Sequence, residues 1–115
     1  MQIVRSNESE VIMVMTIEEA GIIAGAAMMN AVEYEKQIEG LHKDVEESTR
    51  HSVAYRGALE YANEGLANSL ARSIHKSDEM SRNAQFRIEG DMVRRDILAT
   101  ASHSIWEILD EMPRD

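Results

Sequence analysis

The sequence predicts a mainly α protein: an N-terminal β-hairpin, then two or three long amphipathic helices with coiled-coil-like packing in an oligomeric bundle. Two observations predict the helices. The one proline is Pro113, so no proline interrupts the preceding residues. Apolar residues also recur in steps of three and four, which keeps one helix face apolar, as in helices packed side by side. These positions, called the α1 seam below, are Ala20, Ala24, Ala27, Ala31, Tyr34, Ile38, Leu41 and Val45.

The segment before Thr16 predicts the hairpin. Residues 2–5 and 10–16 are rich in β-branched and apolar residues, which favour strands. The polar residues 6–9 between them predict a turn. A lone hairpin is marginally stable in water, so we expect it to pack on the helices or to pair with a partner.

Helix boundaries follow from capping signals. Thr16 with Glu19 three residues later forms a capping-box pattern, which predicts a helix start at residue 17. The polar residues 48–52 allow either a turn or a continuous helix, and the seam spacing favours continuity. Ser77-Asp78 predicts a break because either residue caps helices well.

The predicted organisation is one domain over residues 1–115: a hairpin at 1–16, a long helix or helical pair at 17–75, and a C-terminal helix at 78–112. A chain of this length fits one domain. The apolar face predicted for the last helix consists of Met80, Ala84, Ile88, Val93, Ile97, Ala101, Ile105, Ile108 and Met112, widened by Leu98 and Leu109.

Composition narrows the functional class. The formal net charge is −9 and no basic cluster dominates, which argues against direct nucleic-acid binding. The absence of cysteine excludes disulfides and thiolate metal sites. We find no signal-peptide pattern, and the longest apolar run, 20–32, is too short to span a bilayer. We therefore expect a cytoplasmic protein that does not bind membranes.

Two acidic patterns suggest metal chemistry, and neither is specific. Glu39 and His42 form the Glu-x-x-His spacing of di-metal helical bundles, but a second such pair is missing. Glu107 and Asp110, with Glu46-Glu47 as the other half, resemble the magnesium site of all-α nucleotide pyrophosphohydrolases. A solvated acidic helix face explains both patterns more simply. We predict no catalytic residue, metal or cofactor, and keep an all-α metal-dependent enzyme as an alternative.

A group of arginines provides a second alternative. Pockets between subunits that bind an anionic ligand would make the protein an oligomer that sequesters nucleotides. Neutralisation of the acidic first helix within the molecule is the simpler interpretation. The possible anion contacts are Arg82, Arg87, Arg94 and Arg95.

The first twenty residues resemble short proteins encoded by bacteriophages. In those proteins a small hairpin leads into a capped helix with a start like Thr16-Ile17-Glu18-Glu19-Ala20. The resemblance implies a small accessory protein, many of which bind and block a host enzyme or a defence complex. It implies no activity and no functional residue.

We therefore predict a non-enzymatic, acidic protein-interaction module that is an inhibitor of the phage type. It is expected to form a homo-oligomer, first of all a dimer, and to bind a protein partner. The predicted oligomer or partner interface consists of the α1 seam and Trp106.

Overall fold

The computed structural model describes residues 1–5 and 11–113, and its fold is mainly α with an N-terminal two-stranded hairpin, as predicted. Two long helices follow the strands. The turn predicted at residues 6–9 lies outside the described residues. In chain order the elements are β1 (Gln2–Arg5), β2 (Val11–Val14), α1 (Ile17–Leu59) and α2 (Glu64–Glu111).

The hairpin is antiparallel and carries apolar side chains on both faces. Gln2 pairs with Val14, and Ile3 pairs with Met13. Since side chains alternate between faces along a strand, Ile3 and Met13 share one face while Ile12 and Val14 share the other. All four apolar side chains are about half exposed or more. A two-stranded sheet with this surface gains little stability from its own contacts.

The predicted capping box opens α1. The Glu19 backbone N–H donates to Thr16 Oγ1 at 3.0 Å, and the Thr16 N–H donates to Glu19 Oε1 at 3.1 Å. The amino group of Met1 also contacts Glu19 Oε2 at 2.6 Å. This positive group is the main reason that the pKa of Glu19 lies below its usual value, and the hydrogen bonds from Thr16 act in the same direction.

Contacts group the chain into two units. The terminal unit comprises Met1–Glu33 and Arg94–Asp115, and the turn unit comprises Tyr34–Val93. Each unit contains part of α1 and part of α2, so each has its own helix–helix contact. The prediction of one domain stays a prediction.

Small side chains form the helix contact of the terminal unit. Ala24 and Ser102 are completely buried, and Ala20, Ala27 and Ala31 are nearly so. The Ser102 hydroxyl donates to the Ala24 carbonyl oxygen at 2.7 Å. A side-chain bond to the backbone of the facing helix needs a close approach of the two helices, which alanine and serine permit.

The turn unit has a larger apolar core. Ile38 and Leu41 of α1 pack with Ala84 and Ile88 of α2, and Val45 packs against this cluster. The α1 seam continues through the 48–52 segment, because Ser48 and Ser52 are buried at the next positions of the same spacing. The helix is therefore continuous there, which was the favoured prediction.

The connection between the helices lies at residues 60–63. Asn63 caps α2: its Oδ1 accepts from the Leu66 N–H at 2.9 Å, and its carbonyl accepts from the Ala67 N–H at 2.7 Å. Glu64 in the first turn favours the same helix start. No turn was predicted at residues 60–63 from the sequence, although Asn63 followed by Glu64 is a pattern typical of helix starts.

The predicted break at Ser77-Asp78 is wrong, because α2 continues through it. Ser77 is buried in the helix contact. Asp78 accepts hydrogen bonds from two side chains of α1, Ser52 at 2.8 Å and Arg56 at 2.7 Å. These polar residues connect two helices instead of capping one.

The face of α2 that packs against α1 also differs from the predicted face. Val93, Ile97 and Ile108 are exposed, whereas Asp91 and Ser102 are buried. Polar residues take several of the inward positions of α2, so part of its apolar content faces outward. The buried or half-buried residues at three-and-four spacing are Ser77, Ser81, Ala84, Ile88, Asp91, Arg95, Leu98, Ser102, Ile105 and Leu109.

Candidate protein-binding surface

Most of the exposed large apolar side chains of the described chain belong to the terminal unit. Ile22 and Met29 of α1 are 66% and 72% exposed, and Ile108 of α2 is 60% exposed. Surface apolar residues are common singly, but a concentration of them marks an interaction surface. The full terminal set is Met1, Ile3, Ile12, Met13, Val14, Ile17, Ile22, Met28, Met29, Val32, Ile97, Trp106, Ile108 and Met112.

Two of the grooves among the described residues of this unit lie beside the end of α2. The hairpin groove, of about 350 Å³, lies along β2 and the end of α2. The Trp106 groove, of about 460 Å³, lies at the start of α1. The hairpin groove is lined by residues 13–17 with Ala20, Ile105, Ile108, Leu109 and Met112. The Trp106 groove is lined by Ile17, Glu18, Gly21, Ile22, Trp106, Leu109, Asp110, Met112 and Pro113.

The hairpin groove is lined by apolar residues and Thr16, whereas the Trp106 groove combines apolar walls with an acidic edge. Glu18 and Asp110 line the Trp106 groove, and no lysine or arginine is among the described residues that line either groove. Such a surface suits an apolar segment that carries a positive charge. An anionic small molecule would meet carboxylates there.

Trp106 lies at the edge of the helix contact and is 45% exposed. It covers Gly21: a Cβ added at Gly21 would lie 4.0 Å from Trp106 Cη2. The indole therefore lies beside α1 and forms one wall of the groove, with Gly21 and Ile22 of α1 also lining it. Aromatic side chains are common in interfaces, which is why an interface role was predicted for Trp106. That role stays a prediction.

The α1 seam is mostly covered within the chain. Of its residues, Tyr34 and Val45 are half-buried and the other six are buried. Intramolecular packing explains why these residues are apolar. Contact of these residues with a partner stays a prediction. Because they are covered by α2, a partner that binds the folded chain contacts exposed side chains instead.

A second apolar face on α1 was not predicted from the sequence. Ile22, Gly25, Met29 and Val32 follow the same three-and-four spacing on the side away from the seam, and we call them the α1 outer face. Its signal was already in the sequence, since residues 20–32 contain no charged residue. The alanines of the seam alone already account for an amphipathic helix, so the spacing did not require a second apolar face.

The four arginines are divided between the two units. Arg82 and Arg87 belong to the turn unit, whereas Arg94 and Arg95 belong to the terminal unit. Arg87 lines a groove of about 380 Å³ together with Asp44 and Glu47, so acids accompany it. Arg95 Nε donates to Asp96 Oδ1 at 3.0 Å. The anion-contact prediction gains no support from these neighbours.

A polar cluster joins the two helices of the turn unit. Asp78 accepts from Ser52 and Arg56, and Arg56 Nε also donates to Ser52 Oγ at 3.2 Å. The hydrogen bond from Ser52 is the main cause of the lowered pKa of Asp78, and the Arg56 charge adds to it. This cluster is a structural link between helices.

The predicted metal candidates are dispersed. Glu39 and His42 are both exposed on α1. His103 Nε2 lies 3.1 Å from Glu107 Oε1, which pairs these side chains along one helix. Among residues 1–5 and 11–113, no group of three or more histidine, aspartate and glutamate side chains is arranged to hold a metal ion.

The fold and surface define a mainly α protein with an N-terminal hairpin and an exposed apolar end. No family model matches the chain, and no curated protein and no solved structure matches it either. Neither helix, over its described length, has an apolar stretch long enough to cross a membrane.

Proposed function

We propose that this protein is a non-enzymatic interaction module that binds a partner protein through the hairpin groove and the Trp106 groove. The observation that carries the proposal is the concentration of exposed apolar side chains around these grooves. Interfaces are centred on such side chains, with aromatic residues prominent among them.

The chemistry of the grooves specifies the partner. Its binding segment is apolar and has a lysine or arginine next to the apolar part, because Glu18 and Asp110 are at the edge of the Trp106 groove. The net charge of −9 favours a basic partner at longer range as well. An inhibitor that blocks a protein by covering its surface needs only such a binding surface, and we propose this role, as the first twenty residues suggested.

Affinity capture tests the proposal with a matched pair of variants. Ile108→Glu places a charge in the hairpin groove, where the native side chain is largely exposed, so the fold tolerates it. Val53→Glu places the same charge at an equally exposed site of the turn unit. Tagged wild type, Ile108→Glu and Val53→Glu are incubated with cell lysate, and retained proteins and small molecules are identified by mass spectrometry.

We expect one protein to be retained by wild type and by Val53→Glu, and to be reduced at least about tenfold by Ile108→Glu, which corresponds to about 1.4 kcal/mol. Retention should also fall with added salt if the partner is basic. Equal retention by all three proteins would exclude the hairpin groove as the binding site of the partner. A retained nucleotide without a protein would favour the sequestering alternative instead.

A further inference from the structure

One stretch of α1 is uncharged around its whole circumference, and Asn30 is its one polar side chain. From Ala20 to Val32 the sequence is AGIIAGAAMMNAV, which contains no charged residue. A helix that is apolar on all sides is normally covered on more than one side. Within the terminal unit the seam side of this stretch is buried, whereas Ile22 and Met29 on the outer face are 66% and 72% exposed.

The shape of the α1 outer face is as informative as its polarity. Gly25 lies between Ile22 and Met29, and a Cβ placed at Gly25 would have no neighbour within 4 Å. The face therefore has two protruding side chains with a depression between them. Val32 continues it at the next position of the spacing and is also exposed.

The α1 outer face offers three exposed apolar side chains to a contact: Ile22, Met29 and Val32 are 66%, 72% and 47% exposed. Covering these side chains removes apolar surface from water, which favours association.

We propose that a second copy of this chain packs on the α1 outer face, with the two α1 helices antiparallel. Charge favours this place for self-association, because two copies of net charge −9 repel each other and residues 20–32 are uncharged. The dimer leaves the hairpin groove for the partner protein and covers Ile22 at the edge of the Trp106 groove. The inference does not depend on the proposed function.

Packing selects the antiparallel arrangement. If the two-fold axis passes midway between positions 25 and 29, Met29 of each copy fills the depression at Gly25 of the other. Ile22 then lies opposite Val32 of the second copy. A parallel arrangement would place Met29 on Met29 and Gly25 on Gly25, which creates a clash and a void in adjacent layers.

Disulfide trapping tests this register, and the chain contains no cysteine of its own. The double variant Ile22→Cys/Val32→Cys should form a covalent dimer under mild oxidation. The two positions are about 15 Å apart along one helix, which is too far for a bond within one chain. Lys43→Cys/Val53→Cys is the matched control, with the same ten-residue spacing on the corresponding side of α1 in the turn unit.

We expect covalent dimer from the first variant, at least about tenfold less from the control, and little from Ile22→Cys alone. Efficient crosslinking of Ile22→Cys alone would overturn the antiparallel arrangement, since it brings position 22 onto itself. Equal crosslinking of test and control variants would overturn the inference, because it indicates random collision.

Light scattering after size exclusion provides an independent measurement. Wild type should have twice the mass of the chain. Gly25→Leu should shift to the monomer mass with its helix content unchanged by circular dichroism. The leucine has space in the single chain, but it fills the depression that Met29 of the second copy occupies in the dimer. Gly40→Leu, another open glycine of α1, is the control and should stay dimeric.

A monomeric wild type would overturn the inference whatever Gly25→Leu does. If it still retains a partner that Ile108→Glu loses, the proposed function stands. A dimer without any retained partner supports the inference and contradicts the proposed function. The dimer inference and the proposed function can therefore be contradicted independently of each other.

Discussion

At the scale of single residues, the terminal unit depends on the size of its smallest side chains. Ala24 and Ser102 are both fully buried, and a hydrogen bond of 2.7 Å joins them. A larger side chain at either position has no space without separation of the helices. The sequence predicted the alanines of this contact, but not the serine, because a serine in a helix is more often exposed.

Ala24→Arg should destabilise the fold by roughly 3–5 kcal/mol, since it buries an unpaired charge in a close helix contact. Ala26→Arg is the control, because Ala26 is exposed two positions further on the same helix. Urea unfolding followed by circular dichroism measures both variants. Equal stability of the two variants would show that the seam is not a buried contact in solution.

Asp78 should make stability depend on pH. Its pKa is lowered in the folded chain by the hydrogen bond from Ser52 and the charge of Arg56. A lowered pKa stabilises the folded state above the usual aspartate pKa of about 4, and this contribution disappears as pH falls through the lower folded-state pKa. Asp78→Asn should thus destabilise the protein at pH 6, and its difference from wild type should shrink towards pH 2.

The coupled partner provides the check on this prediction. Ser52→Ala should weaken the same link, so the effects of Ser52→Ala and Asp78→Asn in the double variant should be less than additive. Urea midpoints of the four proteins at pH 6 and pH 2 provide the data. Full additivity at pH 6 would show that the two side chains do not interact.

At the scale of elements, the sequence predicted α1 better than α2: the start and packed face of α1 are as predicted, whereas the start and packed face of α2 are not. The capping box at Thr16 and the seam from Ala20 to Val45 were readable because local spacing determines them. The helix turn was misplaced because serine and aspartate suit both caps and contacts between helices. Nothing in Ser77-Asp78 alone reveals that Ser52 and Arg56 face it. The outward apolar residues of α2 were placed inside for the same reason.

Asn63→Ala tests the observed position of the turn. It removes the side-chain acceptor for the Leu66 N–H and should cost about 1 kcal/mol of stability. Ser77→Ala should cost less than that, because alanine suits a buried position inside a continuous helix. Chemical denaturation of both variants measures the two values. A larger loss at Ser77 than at Asn63 would favour the break that the sequence predicted.

At the scale of the whole molecule, the net charge acts on other molecules at long range, and the apolar surfaces provide the places of direct contact. The net charge of −9 keeps copies apart wherever acids face outward, and it attracts basic proteins. The uncharged stretch 20–32 and the two grooves are the places where contact costs least. The sequence predicted self-association and partner binding together on the seam. The structure buries the seam and suggests the α1 outer face for self-association and the hairpin groove for the partner, a distinction that needed the exposure of each side chain.

The four-residue connection at 60–63 has a consequence for the order of folding. Ser52 and Asp78, which meet in the turn unit, are 26 residues apart in sequence, whereas Ala24 and Ser102 in the terminal unit are 78 apart. Closing the shorter loop loses less entropy, so helix pairing starts beside the connection and proceeds towards the chain ends. During synthesis, Ala24 has left the ribosome long before Ser102 is made. The seam side of the stretch 20–32 is therefore covered by α2 only after Ser102 has been made.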